Sequence, residues 1–206
     1  MEFKTEWLVK GMVESVFVVG SILVALAVDA WAENQGFAEL ADLSLGIFEQ
    51  EILQNKARLE DGVPYHQGIR DLLSRRASED GTDVRGIMEG LEPPVLLSTA
   101  WETALATGAL THMDFDVVRA LSLTYSIQEG FDTRSRSDRP RFGSSAGLSS
   151  LQIQVQAEQA YDYVAALTRD ETELITVFDQ ALELIRAHRG VGQAEPADAT
   201  REGTDR

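Results

Sequence analysis

The sequence predicts an all-α protein in which an N-terminal transmembrane helix extends into a small antiparallel helical bundle. Composition supports this fold class, because Ala, Leu, Glu and Gln are plentiful while Gly and Pro gather at a few points along the chain. One apolar run without charges lies near the N-terminus, and the segments after it repeat apolar residues with helical periodicity. The length of 206 residues suits one domain with an anchor and a tail.

The apolar run extends from Val16 to Val28, and Ser21 is its only polar side chain. Between Glu14 and Asp29 the charge-free stretch has 14 residues. At helical rise this is about 21 Å, which is short for a bilayer core of about 30 Å. A span therefore requires that the two flanking carboxylates lie near the headgroups, where a charge costs little.

Two tryptophans support the span, because Trp7 and Trp31 are 24 residues apart. This is about 36 Å along a helix, close to the separation of the two aromatic belts of a membrane. Lys4 and Lys10 are the cations before the span, and the next cation is Lys56, so the positive-inside rule favours an N-terminus on the inner side.

These features predict four parts: a cytoplasmic N-terminus at 1-12, a transmembrane anchor at 13-32, an extracytoplasmic helical domain at 33-189 and a disordered tail at 190-206. The expected location is the inner (cytoplasmic) membrane, with the C-terminal domain periplasmic or extracellular. Two alternatives stay open for the apolar run. It is the core helix of a soluble protein, or it is a signal peptide cleaved after Ala30-Trp31-Ala32.

Within the domain, helical periodicity predicts a first helix from Glu33, which Asp61-Gly62 and Pro64 end. A shorter helix follows from Tyr65 to about Arg76. The next predicted helix begins with the capping-box spacing of Thr99 and Glu102 and ends at Gly108.

Two more helices complete the predicted bundle. Asp114 suits the N-cap of a helix that reaches about Asp132. The last helix covers 148-188, and Thr168 with Glu171 forms a second capping-box pattern that predicts an interruption there.

Two stretches carry a resemblance to a known family: ESVFVVGSILVALAVDAWAENQ, and TAWETALATGAL followed by the helix start HMDFDVV. They resemble a family of uncharacterised bacterial single-pass membrane proteins that is known only as a domain of unknown function. The resemblance covers the anchor, the first long helix and the middle segment. It implies an N-terminal anchor with an extracytoplasmic helical domain, and it implies no reaction.

Three groups of side chains are candidate functional sites. His112, Asp114 and Asp116 form a His-x-Asp-x-Asp group with ligand types suitable for a divalent metal, although Asp114 and Asp116 also suit the start of a helix. Trp101 beside Glu102 could line a small-ligand pocket or, more simply, pack in the core.

The third group is a basic cluster within RSRSDRPRF, which is unusual in so acidic a chain. The cluster is predicted to lie in a loop, because Pro140 lies within it and the sequence GSSAG follows it. It would contact anionic headgroups or an acidic partner, or form a solvated linker. Its members are Arg134, Arg136, Arg139 and Arg141.

The formal net charge of -16 argues against nucleic acid as a partner, because phosphate contacts need concentrated Lys and Arg. The absence of cysteine excludes disulfides, thiolate ligands and thiol catalysis. With no phosphate loop, nucleophile elbow or metalloprotease motif, we expect neither a cofactor nor an enzyme.

The sequence therefore favours a membrane-tethered structural or interaction protein. Its expected partners are the lipid bilayer and either a second copy or an envelope protein. The alternatives are a sensor or binding module for a small ligand, with a pocket near Trp101, and a metal-dependent enzyme that uses His112.

Overall fold

The computed structural model describes residues 3–76, 83–142 and 148–192, and it contains five α-helices and one 3₁₀ turn. The all-α fold is confirmed, since these residues include no strand. The predicted tail lies outside the described residues except for its first three, which continue the last helix. The helices are α1 (Phe3–Arg76), α2 (Val84–Glu89), α3 (Thr99–Thr107), α4 (Phe115–Ser137) and α5 (Ser150–Gly192), with the 3₁₀ turn at Ala109–His112 between α3 and α4.

The first helix, α1, is one continuous element of 74 residues, and the predicted stop at Asp61-Gly62 and Pro64 is wrong. A proline inside a helix removes one backbone hydrogen bond and normally bends or breaks the helix. Here buried side chains follow one another on both sides of Pro64, from Leu59 to Leu73, and each packs into the same core. Tertiary packing on that face therefore outweighs the local cost of the proline.

The helix α1 has two unlike halves. From Phe17 to Leu40 no side chain is buried, and the large apolar residues between Phe17 and Trp31 are 54–76% exposed. From Ala41 onward buried residues recur at helical spacing. Among the described residues α1 is the one helix long and apolar enough to cross a membrane, and none of its most apolar 18-residue window is buried.

The bundle forms where α4 and α5 pack against the second half of α1. Its interior is mostly aliphatic and aromatic, which accounts for the amphipathic pattern of the three long helices, although polar side chains such as Asn55 and His66 are also buried. The largest fully buried apolar side chains are Phe48, Ile52, Leu59 and Leu73 of α1, Leu91, Leu121 and Phe131 of the middle segment, and Leu174, Phe178 and Ile185 of α5.

Ion pairs show that α5 runs antiparallel to α1. Lys56 Nζ lies 2.5 Å from Asp179 Oδ1, and Glu49 accepts hydrogen bonds from Arg186 at 2.7 Å and from Arg189 at 3.1 Å. Arg186 and its hydrogen bond hold the pKa of Glu49 below its usual value, and burial opposes this only in part. The C-terminal part of α5 therefore lies beside the first packed turns of α1.

The helix boundaries confirm two of the predicted caps. Gly108 ends α3 in the left-handed conformation, with φ of 72°, and Asp114 begins α4 by accepting a hydrogen bond from the backbone N–H of Asp116 at 2.8 Å. The helix α4 continues to Ser137, five residues beyond the predicted end.

Two capping boxes are wrong. Ser98 is the N-cap of α3 in place of Thr99, and its hydroxyl donates to the Glu102 carboxylate at 2.7 Å. The helix α5 continues through Thr168, whose hydroxyl donates to the Val164 carbonyl four residues earlier at 2.8 Å. Glu171 is completely buried instead of capping a helix.

Candidate functional site

The short helix α3 is held by a buried carboxylate from α1. Glu51 Oε2 accepts the backbone N–H of Ala100 at 2.9 Å, in the first turn of α3, where Ser98 makes no side-chain cap to the backbone. The other oxygen of Glu51 accepts the Tyr125 hydroxyl at 2.7 Å. A carboxylate at the positive end of a helix stabilises that end, so Glu51 ties α3 to both α1 and α4.

Asn55 fixes the segment that leads into α3. Its amide donates to the Leu97 carbonyl and accepts the Leu97 N–H, both at 2.8 Å, while Gln128 Nε2 donates to the same carbonyl at 2.8 Å. Asn55 is fully buried, and Gln128 is 3% exposed. Asn55, Gln128 and Glu51 are not among the sites predicted from the sequence, although each interrupts the apolar face of a helix, and buried polar groups need partners.

Trp101 contacts Tyr125, the residue whose hydroxyl donates to Glu51. Its ring stacks on Tyr125 with centroids 5.7 Å apart and packs obliquely on Phe48 at 6.4 Å. Trp101 is neither fully buried nor exposed, and Glu102 is exposed. Trp101 therefore packs against the core on one side of its ring. Together with Glu102 it also lines an open cavity.

The cavity beside Trp101 has a volume of about 370 Å³ and lies between α3 and α4. Its lining combines two aromatic rings, three serine hydroxyls, one amide and three carboxylates, and among the described residues no Lys or Arg belongs to it. The lining residues are Ser98, Trp101, Glu102, Ser122, Tyr125, Ser126, Gln128, Glu129 and Asp132.

Two titratable groups of this cavity are perturbed. Burial raises the pKa of Asp132 above its usual 3.8, and Arg136 opposes this only in part. Asp132 Oδ1 accepts no hydrogen bond from the described residues, and Arg136 Nη2 lies 3.8 Å away. Burial and the hydrogen bond to Glu51 raise the pKa of Tyr125, so its phenol remains a hydrogen-bond donor. A positive group would be the favourable occupant beside these carboxylates.

The His112 group lies elsewhere, at the end of the bundle next to the apolar half of α1. The His112 ring stacks flat on Phe37, with centroids 3.8 Å apart, while Asp114 caps α4 and Asp116 lies 3.6 Å from Arg119. Within residues 3–76, 83–142 and 148–192 no three His, Asp or Glu side chains converge to hold a metal ion. The helix-starting role of Asp114 is confirmed, whereas a metal role for this group stays a prediction.

A cavity of about 410 Å³ brings His112 near His188, with Asp42 and Arg189 in the same lining. Arg189 already donates to Asp42 at 3.1 Å and to Glu49 at 3.1 Å. This juxtaposition could not be read from the sequence, because the two histidines come from distant segments.

The predicted loop placement is wrong for Arg134 and Arg136 of the basic cluster, which lie in the last turn of α4, whereas Arg139 and Arg141 follow the end of that helix. Arg134 donates to Asp170 of α5 at 3.1 Å, and Arg139 donates to the Met88 carbonyl at 2.6 Å. Local helix propensity and these contacts extend α4 past the predicted end. Arg141 is exposed.

The cluster lies at the end of the bundle that is remote from the apolar half of α1. Met88 belongs to α2, and the carbonyl of the following Gly90 accepts the Tyr65 hydroxyl at 3.0 Å. Tyr65 is 34 residues beyond Trp31 on the same helix, which is about 51 Å. Contact of the cluster with anionic headgroups or with an acidic partner stays a prediction.

The buried pair of His66 and Glu171 was not predicted from the sequence. His66 Nδ1 lies 2.8 Å from Glu171 Oε1 and 3.0 Å from Oε2, with hydrogen-bond geometry to Oε2, and both side chains are at most 2% exposed. Gly62 lies one turn before His66, and a Cβ there would make ordinary van der Waals contacts with His66 Cε1 at 3.5 Å and Glu171 Oε1 at 3.8 Å. The pair is enclosed and joins α1 to α5.

Comparison with protein-family models, with curated proteins and with solved structures found no match. The family resemblance of the anchor and of the Trp101 segment therefore stays a prediction. Function has to be argued from the geometry of this chain alone.

Proposed function

We propose that this chain is a membrane-tethered helical protein with a structural or interaction role. In this proposal residues 13-32 cross the inner membrane, the N-terminus is cytoplasmic, and the bundle stands in the periplasm or outside the cell. Lys4 and Lys10 support the orientation through the positive-inside rule.

The observation that carries the proposal is the exposed apolar surface of α1. Phe17 is 76% exposed, Val24 65% and Trp31 64%, and the bundle covers none of the intervening large apolar side chains. A contiguous apolar surface of this kind marks a membrane or protein contact, since water solvates it poorly. A single helix with all its backbone hydrogen bonds internal is a structure that lipid accepts.

Continuity of the helix supports a tethering role. The residues of α1 pass from the apolar half into the bundle core without a break, and the first buried side chain, Ala41, lies ten residues beyond Trp31. This is about 15 Å of uninterrupted helix. An anchor joined in this way would hold the bundle at a defined height above the bilayer.

The test is membrane fractionation of full-length protein with a high-pH carbonate wash, together with protease accessibility of the bundle in intact and permeabilised cells. We expect the intact chain in the washed membrane pellet and cleavage of the bundle only after the outer barrier is opened. A full-length protein in the soluble fraction would overturn the tether. Protease products that place the bundle on the cytoplasmic side of the membrane would overturn the orientation.

A second candidate is a binding module for small organic cations, and the lining of the 370 Å³ cavity favours it. Three carboxylates and the Trp101–Tyr125 stack surround a space where Asp132 Oδ1 lacks a hydrogen-bond donor among the described residues. Carboxylates with an aromatic face are the groups that bind ammonium compounds.

Titration of the full-length protein in detergent with tetramethylammonium and with 1,4-diaminobutane, followed by tryptophan fluorescence, tests this candidate. We expect saturable quenching that Trp101→Leu abolishes and Asp132→Asn weakens at least tenfold. The control variant is Glu173→Gln, which lines a different cavity. No saturable change with either amine would reject the module.

A further inference from the structure

One stretch of the α1 surface that faces away from the bundle is unusual in this acidic chain, because its exposed residues are uncharged. Between Leu43 and Ala57 every exposed α1 residue is neutral, while the chain as a whole has a formal net charge of -16. Leu43 is 63% exposed, Ile47 43% and Leu53 42%. We call this surface the neutral face; its residues are Leu43, Ile47, Gln50, Leu53, Gln54 and Ala57.

We propose that the neutral face binds the neutral face of a second copy of this chain, so that two parallel α1 helices pair beside the membrane. The proposal rests on the tether, because the anchor is what makes two copies parallel. Leu43, Ile47, Gln50, Gln54 and Ala57 follow each other at intervals of four, three, four and three residues. That alternation is the spacing of the contact positions in a two-stranded coiled coil.

The net charge of the chain indicates that a second copy covers the neutral face. A second copy repels the first wherever two acidic surfaces meet, and a net charge this far from zero normally keeps a protein monomeric. Along the neutral face two identical acidic chains can approach without that cost. Towards the membrane the same spacing passes Gly36 and then reaches Glu33 and Asp29, so the uncharged surface ends there.

The bilayer cannot cover the neutral face. Leu43 is 12 residues and Ala57 26 residues beyond Trp31 on one helix, which places the face roughly 18 to 39 Å from the interface tryptophan. Two anchored copies share one orientation and one plane, so a two-fold axis along α1 brings each residue against its own counterpart. Confinement by the anchors also raises the effective concentration of the partner.

The absence of cysteine allows a direct test in membranes. Single substitutions Leu43→Cys, Ile47→Cys and Gln50→Cys are oxidised in isolated membranes, with Gln154→Cys and Glu158→Cys on the exposed side of α5 as controls. We expect disulfide-linked dimers at the three α1 positions and at least fivefold less at the controls. A second test is Leu43→Lys with Ile47→Lys, which should convert the protein in nanodiscs from dimer to monomer, whereas Gln154→Lys should not.

The outcomes separate the two proposals. Monomers at every α1 position, or equal crosslinking at the α5 controls, overturn the pairing while a membrane-pellet location leaves the tether standing. A crosslinked product of another mass also overturns it, since the occupant is then a different protein. If the full-length chain is soluble, the tether is wrong. If soluble copies then crosslink equally at the α1 positions and at the α5 control positions, pairing through the neutral face is wrong as well.

Discussion

The two halves of α1 have the same backbone and opposite environments. Phe17 is 76% exposed and Phe48 is completely buried, although both are phenylalanines on one uninterrupted helix. In the first half apolar residues surround the helix, whereas in the second half most of them occupy one buried stripe and a few, such as Leu43 and Ile47, are exposed. The comparison shows that the distribution of apolar residues around a helix, more than their number, decides whether the helix packs within its own chain.

The second half shows how far packing overrides local preference. Its stripe continues through Pro64, and the polar residues on its buried face, Glu51 and Asn55, are each satisfied by backbone groups of the segment before or within α3. In the first half the large apolar residues from Phe17 to Trp31 are exposed, while Phe37, nearer the bundle, stacks on His112. Substitutions in the two halves should therefore affect different properties, location in one case and stability in the other.

The largest expected effect separates location from stability. Ile22→Lys with Leu26→Lys places two cations in the apolar run, at a cost of about 5 to 7 kcal/mol for insertion if both lie near the bilayer centre. We expect the protein to leave the membrane pellet while the urea midpoint of the bundle is unchanged. The matched control is Asn34→Lys with Ala38→Lys, beyond the run, which should stay in the membrane. Equal partitioning of both variants would contradict the assignment of the span.

The next effect compares the two phenylalanines. Phe48→Ala removes a ring that contacts Trp101 and Tyr125, and it should lower the free energy of unfolding by about 3 to 5 kcal/mol. Phe17→Ala should leave that free energy unchanged, because the bundle does not contain this residue. Urea unfolding of the full-length protein in detergent, followed by circular dichroism, measures both. A comparable loss in the two variants would show that the bundle includes the first half of α1.

A smaller effect concerns the buried link between α1 and α5. His66→Leu leaves the Glu171 carboxyl buried without its partner, and Glu171→Leu does the same to the imidazole. Replacing both by leucine removes both desolvation costs, so the double variant should be more stable than the sum of the single changes predicts, by about 1 to 3 kcal/mol. A double-mutant cycle by urea unfolding measures this coupling, and additive single effects would show that the pair is not coupled.

Features that depend on local interactions could be predicted from the sequence, whereas features that depend on contacts between distant residues could not. The caps at Gly108 and Asp114 were predictable, because a left-handed glycine and an Asp N-cap are local chemistry. The end of the first helix at Pro64 and the cap at Thr168 were mispredicted, because contacts between α1 and α5 continue both helices. The partners of Glu51, Asn55 and His66 are more than 40 residues away in the sequence, so neither periodicity nor spacing contained them.

The smallest effect again uses a matched pair within α1. Arg186 and Arg189 hold the pKa of Glu49 below 4.5, so the ionised carboxylate stabilises the fold above its unfolded pKa, and this contribution is lost as pH falls through the folded pKa. Glu49→Gln should therefore lower the free energy of unfolding by about 0.2 to 1 kcal/mol at pH 7 and by less once the pH is below the folded pKa. Glu33→Gln, at an exposed position in the first half of α1, is the control and should change stability at neither pH. Urea unfolding at the two pH values measures the difference, and a loss from Glu49→Gln that is equal at both would show that the charge of this carboxylate contributes nothing to the contact between α1 and α5.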